Sequence, residues 1–256
     1  MRNTDYMSGS TQFPLARSNL VGDFGGTLTT LRILSGGAAE GLVSCTAPAF
    51  HALTGFSITG KFGAVGEMAT YVRKGDPVDV LILTRALILE LVAAGLTSAE
   101  AAKDIGAVLT SVAIRKGDAA PSVADPDELR TAILAAPAFF TPNIENSTAG
   151  RHVAWMLKEM GIWQDAKEKL QIFPNGAKAM AAMANSDIAG AIGCTQATEI
   201  LNTSGVTRVA DLPNGLSLST VYTAAVATVS THIGPAAQLI DMLSRSTERT
   251  RLGFVS

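Results

Sequence analysis

Residues 31–66 read LRILSGGAAEGLVSCTAPAFHALTGFSITGKFGAVG. A short apolar run, Leu31 to Ser35, ends in Gly36 and Gly37. A helical pattern follows it, with Ala39, Leu42, Val43, Phe50 and Leu53 at helical spacing. Gly55 is placed to stop that helix, and Pro48 inside it predicts a kink or a restart. Residues 56–60 give a second strand, and Gly63, Ala64, Val65 and Gly66 open the next helix. Residues 78–84, VDVLILT, have the continuous hydrophobicity of a strand buried in a parallel sheet, and a helical pattern over 86–96 comes after them. Strand, helix, strand, helix, strand is a βαβ signature, whose crossovers are right-handed.

A second set begins near residue 107. Residues 108–115 are β-branched and apolar, and Lys116, Gly117 and Asp118 make a turn. Asp125, Pro126, Asp127 and Glu128 form a capped helix start. Phe139, Phe140 and Thr141 predict a short strand ending at Pro142. Ser147, Thr148, Ala149 and Gly150 lead a helix with Val153, Met156, Leu157 and Met160 on one face and Gly161 at its end. Residues 188–193 read as a small apolar strand and 216–229 as a long extended run. The last helix carries Ala236, Leu239, Ile240 and Leu243 on one face, and no tandem repeat occurs. Two βα sets joined by two long strands predict an α/β chain of two lobes with a cleft between them.

Composition narrows the function. Hydrophobic residues make up 47% of the 256 residues and charged ones 16%, which excludes a disordered chain. Twenty basic and 22 acidic residues balance to −2 with no basic stripe, which argues against a nucleic-acid partner. Two cysteines, Cys45 and Cys194, cannot build a disulfide framework or a tetrahedral zinc site. The glycines at 36–41 lack the G-x-G-x-x-G spacing, and neither a P-loop nor an H-E-x-x-H motif occurs. No cofactor and no metal are therefore expected. The longest apolar stretches fall short of a membrane span. Residues 1–30, without an apolar signal core, read as a loose tail. As written, the chain is expected in the cytoplasm, and in the periplasm if its true start lies upstream.

Small polar residues at strand ends, each just before a helix, mark where a ligand would sit. Helix N-termini present unpaired N–H groups and a partial positive charge, so several facing one cleft hold an anion without many basic side chains. The candidate ligand-binding residues are Ser35, Gly36, Gly37 and Ala38 after the first strand, Val65 and Gly66 after the second, and Thr84 after the third. In the second half they are Ser147, Thr148, Ala149, Gly150 and Arg151, then Asn175 and Gly176, then Cys194, Thr195 and Gln196, with Tyr222 in the late extended run. His152, Glu67 and Cys194 are the titratable candidates for catalysis, and Glu40 is a further acid. Arg115, Arg151 and Lys61 are candidate carboxylate partners, Arg best because its fork is bidentate.

The order of segments resembles the type II periplasmic-binding-protein family, in its molybdate-binding-protein-like branch. The matching stretches are LSGGAAEGL, FHALTGFSITGKFGAVGEMA, GDPVDVLILT, STAGRHVAWMLKEMGIW, IAGAIGCTQATEI and VYTAAV, spread over residues 31–256. The resemblance implies a two-lobed fold with two crossover strands and a central ligand cleft closed by hinge motion. It places lobe 1 at 31–112 plus 219–256 and lobe 2 at 113–218. It also implies hydroxyls from the first two loops and a late tyrosine. Here Gly37 and Ala38, then Ala64, Val65 and Gly66, and finally Cys194 stand at those places. An oxyanion that loses such partners loses about 1–3 kcal/mol for each unpaired group, so a larger organic polycarboxylate is expected instead of molybdate. The resemblance thus implies a small-anion receptor that serves an ABC importer permease. The same branch includes aconitate-isomerase-like proteins, which implies a second reading: a cytoplasmic isomerase of an unsaturated tricarboxylate that moves a proton at carbon. A cytoplasmic anion sensor is the third.

Overall fold

A computed structural model describes residues 29–255. The first lobe opens with β1 (Thr30–Gly36), a short 3-10 turn at Gly37–Ala39 and α1 (Glu40–Thr54). It continues with β2 (Ser57–Gly63), α2 (Val65–Arg73), β3 (Val80–Thr84) and α3 (Arg85–Ala93). The 13-residue β4 (Lys103–Arg115) leads into α4 (Pro126–Ala135), β5 (Phe139–Pro142), α5 (Thr148–Glu159) and the short α6 (Trp163–Ala166). Then come β6 (Leu170–Phe173), α7 (Gly176–Ala184), β7 (Ile192–Gln196), α8 (Ala197–Leu201) and β8 (Val206–Asp211). The chain returns through β9 (Ser219–Val226) and α9 (Ile233–Arg245) to β10 (Phe254–Val255).

The strands run in the order β2-β1-β3-β9-β4-β7-β5-β6, with β8 and β10 also paired to β4. Strand β1 is parallel to both β2 and β3, and β5 is parallel to both β6 and β7. The middle strand of each trio is thus a switch point, where connections leave to opposite sides and a crevice opens beyond the carboxyl end. Strand β4 joins the trios: its first half pairs with β9 and its second with β7 and β8. The core divides along the same strand. Ile105 and Val108 pack with Leu31, Leu81, Phe50 and Leu239, whereas Val112 and Ile114 pack with Leu129, Phe139, Val153 and Met156. The protein is a two-lobed type II α/β fold, as expected.

Several local expectations hold for identifiable reasons. Asp125 caps α4 through Glu128 N–H at 2.8 Å, with Pro126 at the first helical position, where its missing donor costs nothing. Gly161 follows α5 at φ 68, a left-handed value that glycine adopts without strain. Ala236, Leu239, Ile240 and Leu243 are the buried face of α9.

Others are corrected. Helix α1 does not restart at Pro48: it runs unbroken over Glu40–Thr54, with Pro48 on an exposed face where water can reach the freed carbonyl. The strand read at 188–193 begins at Ile192 and ends at Gln196, because Gly190 turns at φ 74 and Ile188 is exposed. The extended run read over 216–229 is ordered as a strand only over Ser219–Val226. Of the tail read over 1–30, only Thr29 and Thr30 are described, and Thr30 already pairs with Ser57 in the sheet; the rest lies outside the described residues.

Candidate functional site

The carboxyl ends of both trios meet at one cavity. From the first lobe it is lined by Gly37, by Gly63, Ala64 and Val65 at the β2–α2 junction, and by Tyr222 on β9. The second lobe contributes Ser147, Thr148 and Ala149 at the start of α5, Asn175 at the start of α7, and Gln196 and Glu199 at the β7–α8 junction. The enclosed space is small, about 10 Å³, or about one water molecule. The lobes touch at its edge, where Gly66 N–H donates to Asn146 O at 3.4 Å. A Cβ on Gly66 would lie 3.1 Å from that oxygen, so the bare backbone permits the approach. A wider groove of about 510 Å³ opens beside the cavity, shares Ala64 with it, and carries Glu67, Asn143 and Asn146.

The helix ends differ in how they are capped. Ser147 Oγ accepts from Gly150 N–H at 3.4 Å, and Asn175 Oδ1 accepts from Lys178 N–H at 2.9 Å. Ala64, which precedes α2, has no side-chain cap. Of that helix's first-turn N–H groups, that of Gly66 is taken by Asn146 O across the lobes.

Glu199 is the residue that sequence reasoning missed. It is 6% exposed and lines the cavity. Thr195 Oγ1 donates to its Oε2 at 2.5 Å. Burial pushes its carboxyl up to about 7, with Glu40 adding to the rise, while the Thr195 hydroxyl and the N–H groups of Gln196 and Ala177 pull the other way. Two glycines make room for it. A Cβ on Gly37 would lie 2.6 Å from Oε1, and one on Gly176 would lie 1.9 Å from Oε2 and 2.1 Å from Thr195 Oγ1. Tyr222 is likewise pushed upward, first by burial and then by Glu199. Two further polar atoms of cavity-lining residues, Gln196 Oε1 and Thr148 Oγ1, are buried and without a hydrogen-bond partner.

Ending the strand at Gly193, three residues before its observed end at Gln196, hides Glu199. With the strand ending at Gln196, Glu199 falls in the first turn of α8, one turn beyond Thr195. The signal available was that spacing: a hydroxyl and a carboxylate four apart at a strand end.

The structure gathers Gly37, Val65, Ser147, Thr148, Ala149, Asn175, Gln196 and Tyr222 of the expected set around the cavity. Thr195 and Gly176 touch it through Glu199. Gly36 packs behind it, where an added Cβ would meet Val65 and Tyr222. The others sit elsewhere. Ser35 is fully buried and donates to Gly36 O, and Ala38 is in the core. Thr84 caps α3, accepting from Leu87 N–H. Gly66 lies at the lobe contact, and Gly150 faces the backbone of Asn143.

The expected catalytic trio is not assembled. Cys194 points into the second core, where burial pushes its thiol up to about 12. The period of the strand explains this, since Cys194 shares a face with Ile192, while Thr195 takes the other. Glu67 is in the outer groove and accepts from Tyr71 Oη at 3.0 Å. His152 Nε2 is 2.7 Å from Leu216 O, with its ring stacked on Trp155. None of the three basic candidates lines the cavity. Arg151 donates to Glu145 O, Arg115 pairs with Asp118, and Lys61 pairs with Asp76 over the Tyr71 ring. Arg151→Ala is therefore expected to leave ligand affinity within about twofold in calorimetry. His152→Ala is expected to leave it equally unchanged while lowering stability by about 1 kcal/mol, the worth of its hydrogen bond.

A two-lobed α/β fold with a cleft at the carboxyl ends of both sheets is the architecture of a periplasmic binding protein. Residues 31–252 match the family described as bacterial extracellular solute-binding protein. The chain belongs to that family. The Azotobacter vinelandii periplasmic molybdate-binding protein is similar in fold, with a TM-score of 0.72 at 14% identity over 88% of this chain and 99% of that one. The sulfate-binding protein SubI from Mycobacterium tuberculosis H37Rv gives 0.68 at 17% identity, covering 88% of this chain and 86% of its own. PEB3 with L-phospholactate bound gives 0.63 at 14% identity, covering 88% and 99%. No curated protein matches in sequence.

Proposed function

We propose that the protein is the solute receptor of an ABC importer and that it closes its lobes on a small organic anion, with a polycarboxylate as the expected class. One observation carries this reading: the N-termini of α2, α5 and α7 converge with Gly37 on a single cavity that no Arg or Lys lines among the described residues. Backbone N–H groups and helix dipoles hold an anionic group under those conditions. Further carboxylates would lie in the outer groove beside Asn143 and Asn146, whose amides donate. The names of three neighbours support the anion, since they give molybdate, sulfate and phospholactate, whereas the name of another gives iron. The importer permease is the partner this reading requires, and it places the protein outside the cytoplasmic membrane.

Glu199 favours a second reading. A carboxyl held near neutrality at a closed cavity suits proton transfer at carbon, as a cytoplasmic isomerase of an unsaturated tricarboxylate would need. A thermal-shift panel with molybdate, sulfate, citrate, cis-aconitate and trans-aconitate tests both. A ligand at 100 times its Kd adds about 2.7 kcal/mol, and each kcal/mol raises the melting temperature by about 2–4 °C in a chain of this size. A shift of about 5–10 °C with an organic anion is expected. A shift with molybdate alone would remove the organic class. Deuterium incorporation into aconitate in heavy water would establish the isomerase, and its absence would remove it.

A further inference from the structure

Two acceptors belong to residues that line a cavity whose helix ends call for an anion. One is the Glu199 carboxyl, seated against Gly37 and Gly176. The other is Gln196 Oε1, on a side chain 2% exposed, while the Nε2 of that amide already donates to Thr220 Oγ1 at 3.3 Å. Thr148 Oγ1, also buried without a partner, supplies an O–H donor from the other side. A fully ionised oxyanion has only lone pairs to offer. It repels the carboxylate and leaves Gln196 Oε1 unsatisfied, and both effects are costly away from water. An anion that also carries an O–H group suits these atoms better. Its charged oxygens take the N–H groups and the Thr148 hydroxyl, and its single hydrogen goes to Glu199 or to Gln196 Oε1.

Building on the receptor reading, we propose that the ligand is an anion bearing an O–H donor, a hydroxy acid or a hydrogen phosphate, and that Glu199 and Gln196 select it by accepting that hydrogen. Protonation of Glu199 modulates the selection. The titratable groups facing it are Glu40 on α1, itself beside Lys178 on α7, and Tyr222 on β9. Below about pH 7 the carboxyl carries its own proton and can donate. Anions without an O–H then gain a partner and bind. Above that pH they lose about tenfold in affinity per pH unit, while hydroxy acids do not.

The test is calorimetric titration at pH 8 with three matched pairs: citrate and tricarballylate, L-malate and succinate, phosphate and sulfate. In the pair that binds, the member with the O–H is expected to bind at least about 30-fold tighter, and the identity of the pair separates a hydroxy acid from a phosphate. In Glu199→Gln the preference should shrink to about threefold or less, because an amide donates as well as accepts. Equal affinity within a pair at pH 8, or an unchanged preference in Glu199→Gln, would overturn the proposal and leave the receptor reading standing. Binding of none of the six anions at either pH 8 or pH 5.5 would overturn both.

Discussion

Gly150→Ala is expected to abolish ligand binding and to lower the melting temperature by about 6–12 °C, equivalent to about 3 kcal/mol. A Cβ at this position would lie 2.1 Å from Asn143 O and 2.6 Å from Pro142 O. Both neighbours are backbone, so no rotamer change relieves the contact. The chain leaving β5 lies against the first turn of α5 at this point, and Ser147 N–H donates to Asn143 O at 3.1 Å to fix the turn. Forcing the two apart moves Ser147, Thr148 and Ala149, three of the second lobe's contributions to the cavity. Gly234→Ala is the control. It sits in α9 with nothing within 4 Å of an added Cβ, and it is expected to be neutral or stabilising, by up to about 1 kcal/mol from helix propensity alone. Melting curves and anion titrations of both variants check this. A Gly150→Ala protein that melts within 1 °C of the wild type and still binds would show that the α5 turn does not position the site.

This glycine shows what the sequence displays and what it withholds. The segment Ser147 to Gly150 is legible as a helix start, because a cap residue, small residues and a spaced apolar face occur together. Its closeness to Asn143 is a tertiary fact with no local signature. The fold is legible for the same reason the helix is: three strands separated by helical patterns, twice over, admit few arrangements. The site is legible only where it coincides with strand ends. Gly37, Ser147, Thr148 and Gln196 are legible in that way, and all four line the cavity. Cys194 stands where Glu199 belongs because the expected strand ends at Gly193, three residues before the observed end at Gln196. That early end puts the thiol just past the strand, among the residues that precede a helix, and leaves Glu199 outside them. Arg151 and His152 were drawn in by sequence proximity to a helix end, but side chains on later positions of that turn point away from it. No periodicity shows that Gly37 and Gly176, 139 positions apart, leave room for the same acid.

That acid makes the protein's stability depend on pH in an unusual direction. Burial holds the Glu199 carboxyl at about 7 in the folded chain, against 4.5 for an unperturbed glutamate. The folded state therefore binds the proton more tightly than the unfolded state. The contribution is fully present below pH 4.5, is lost as the pH rises towards 7, and stays lost above it. The gap between the two values corresponds to about 3 kcal/mol. Glu199→Gln is neutral throughout and keeps an acceptor for the Thr195 hydroxyl, so it escapes this loss. In the absence of ligand, the variant should gain on the wild type by about 3 kcal/mol between pH 4.5 and pH 8, or about 6–12 °C in melting temperature. Taking the difference between the two proteins cancels the exposed carboxylates, whose own titration is common to both. Glu40 remains as a neighbour whose charge adds to the rise at Glu199, while its own rise comes from burial and is opposed by Lys178. Urea unfolding of the two proteins at pH 5 and pH 8 measures the effect directly. A difference that stays constant across that range would mean that Glu199 titrates like a solvated glutamate, charged throughout, and it would take away the pH dependence of the selection against fully ionised anions.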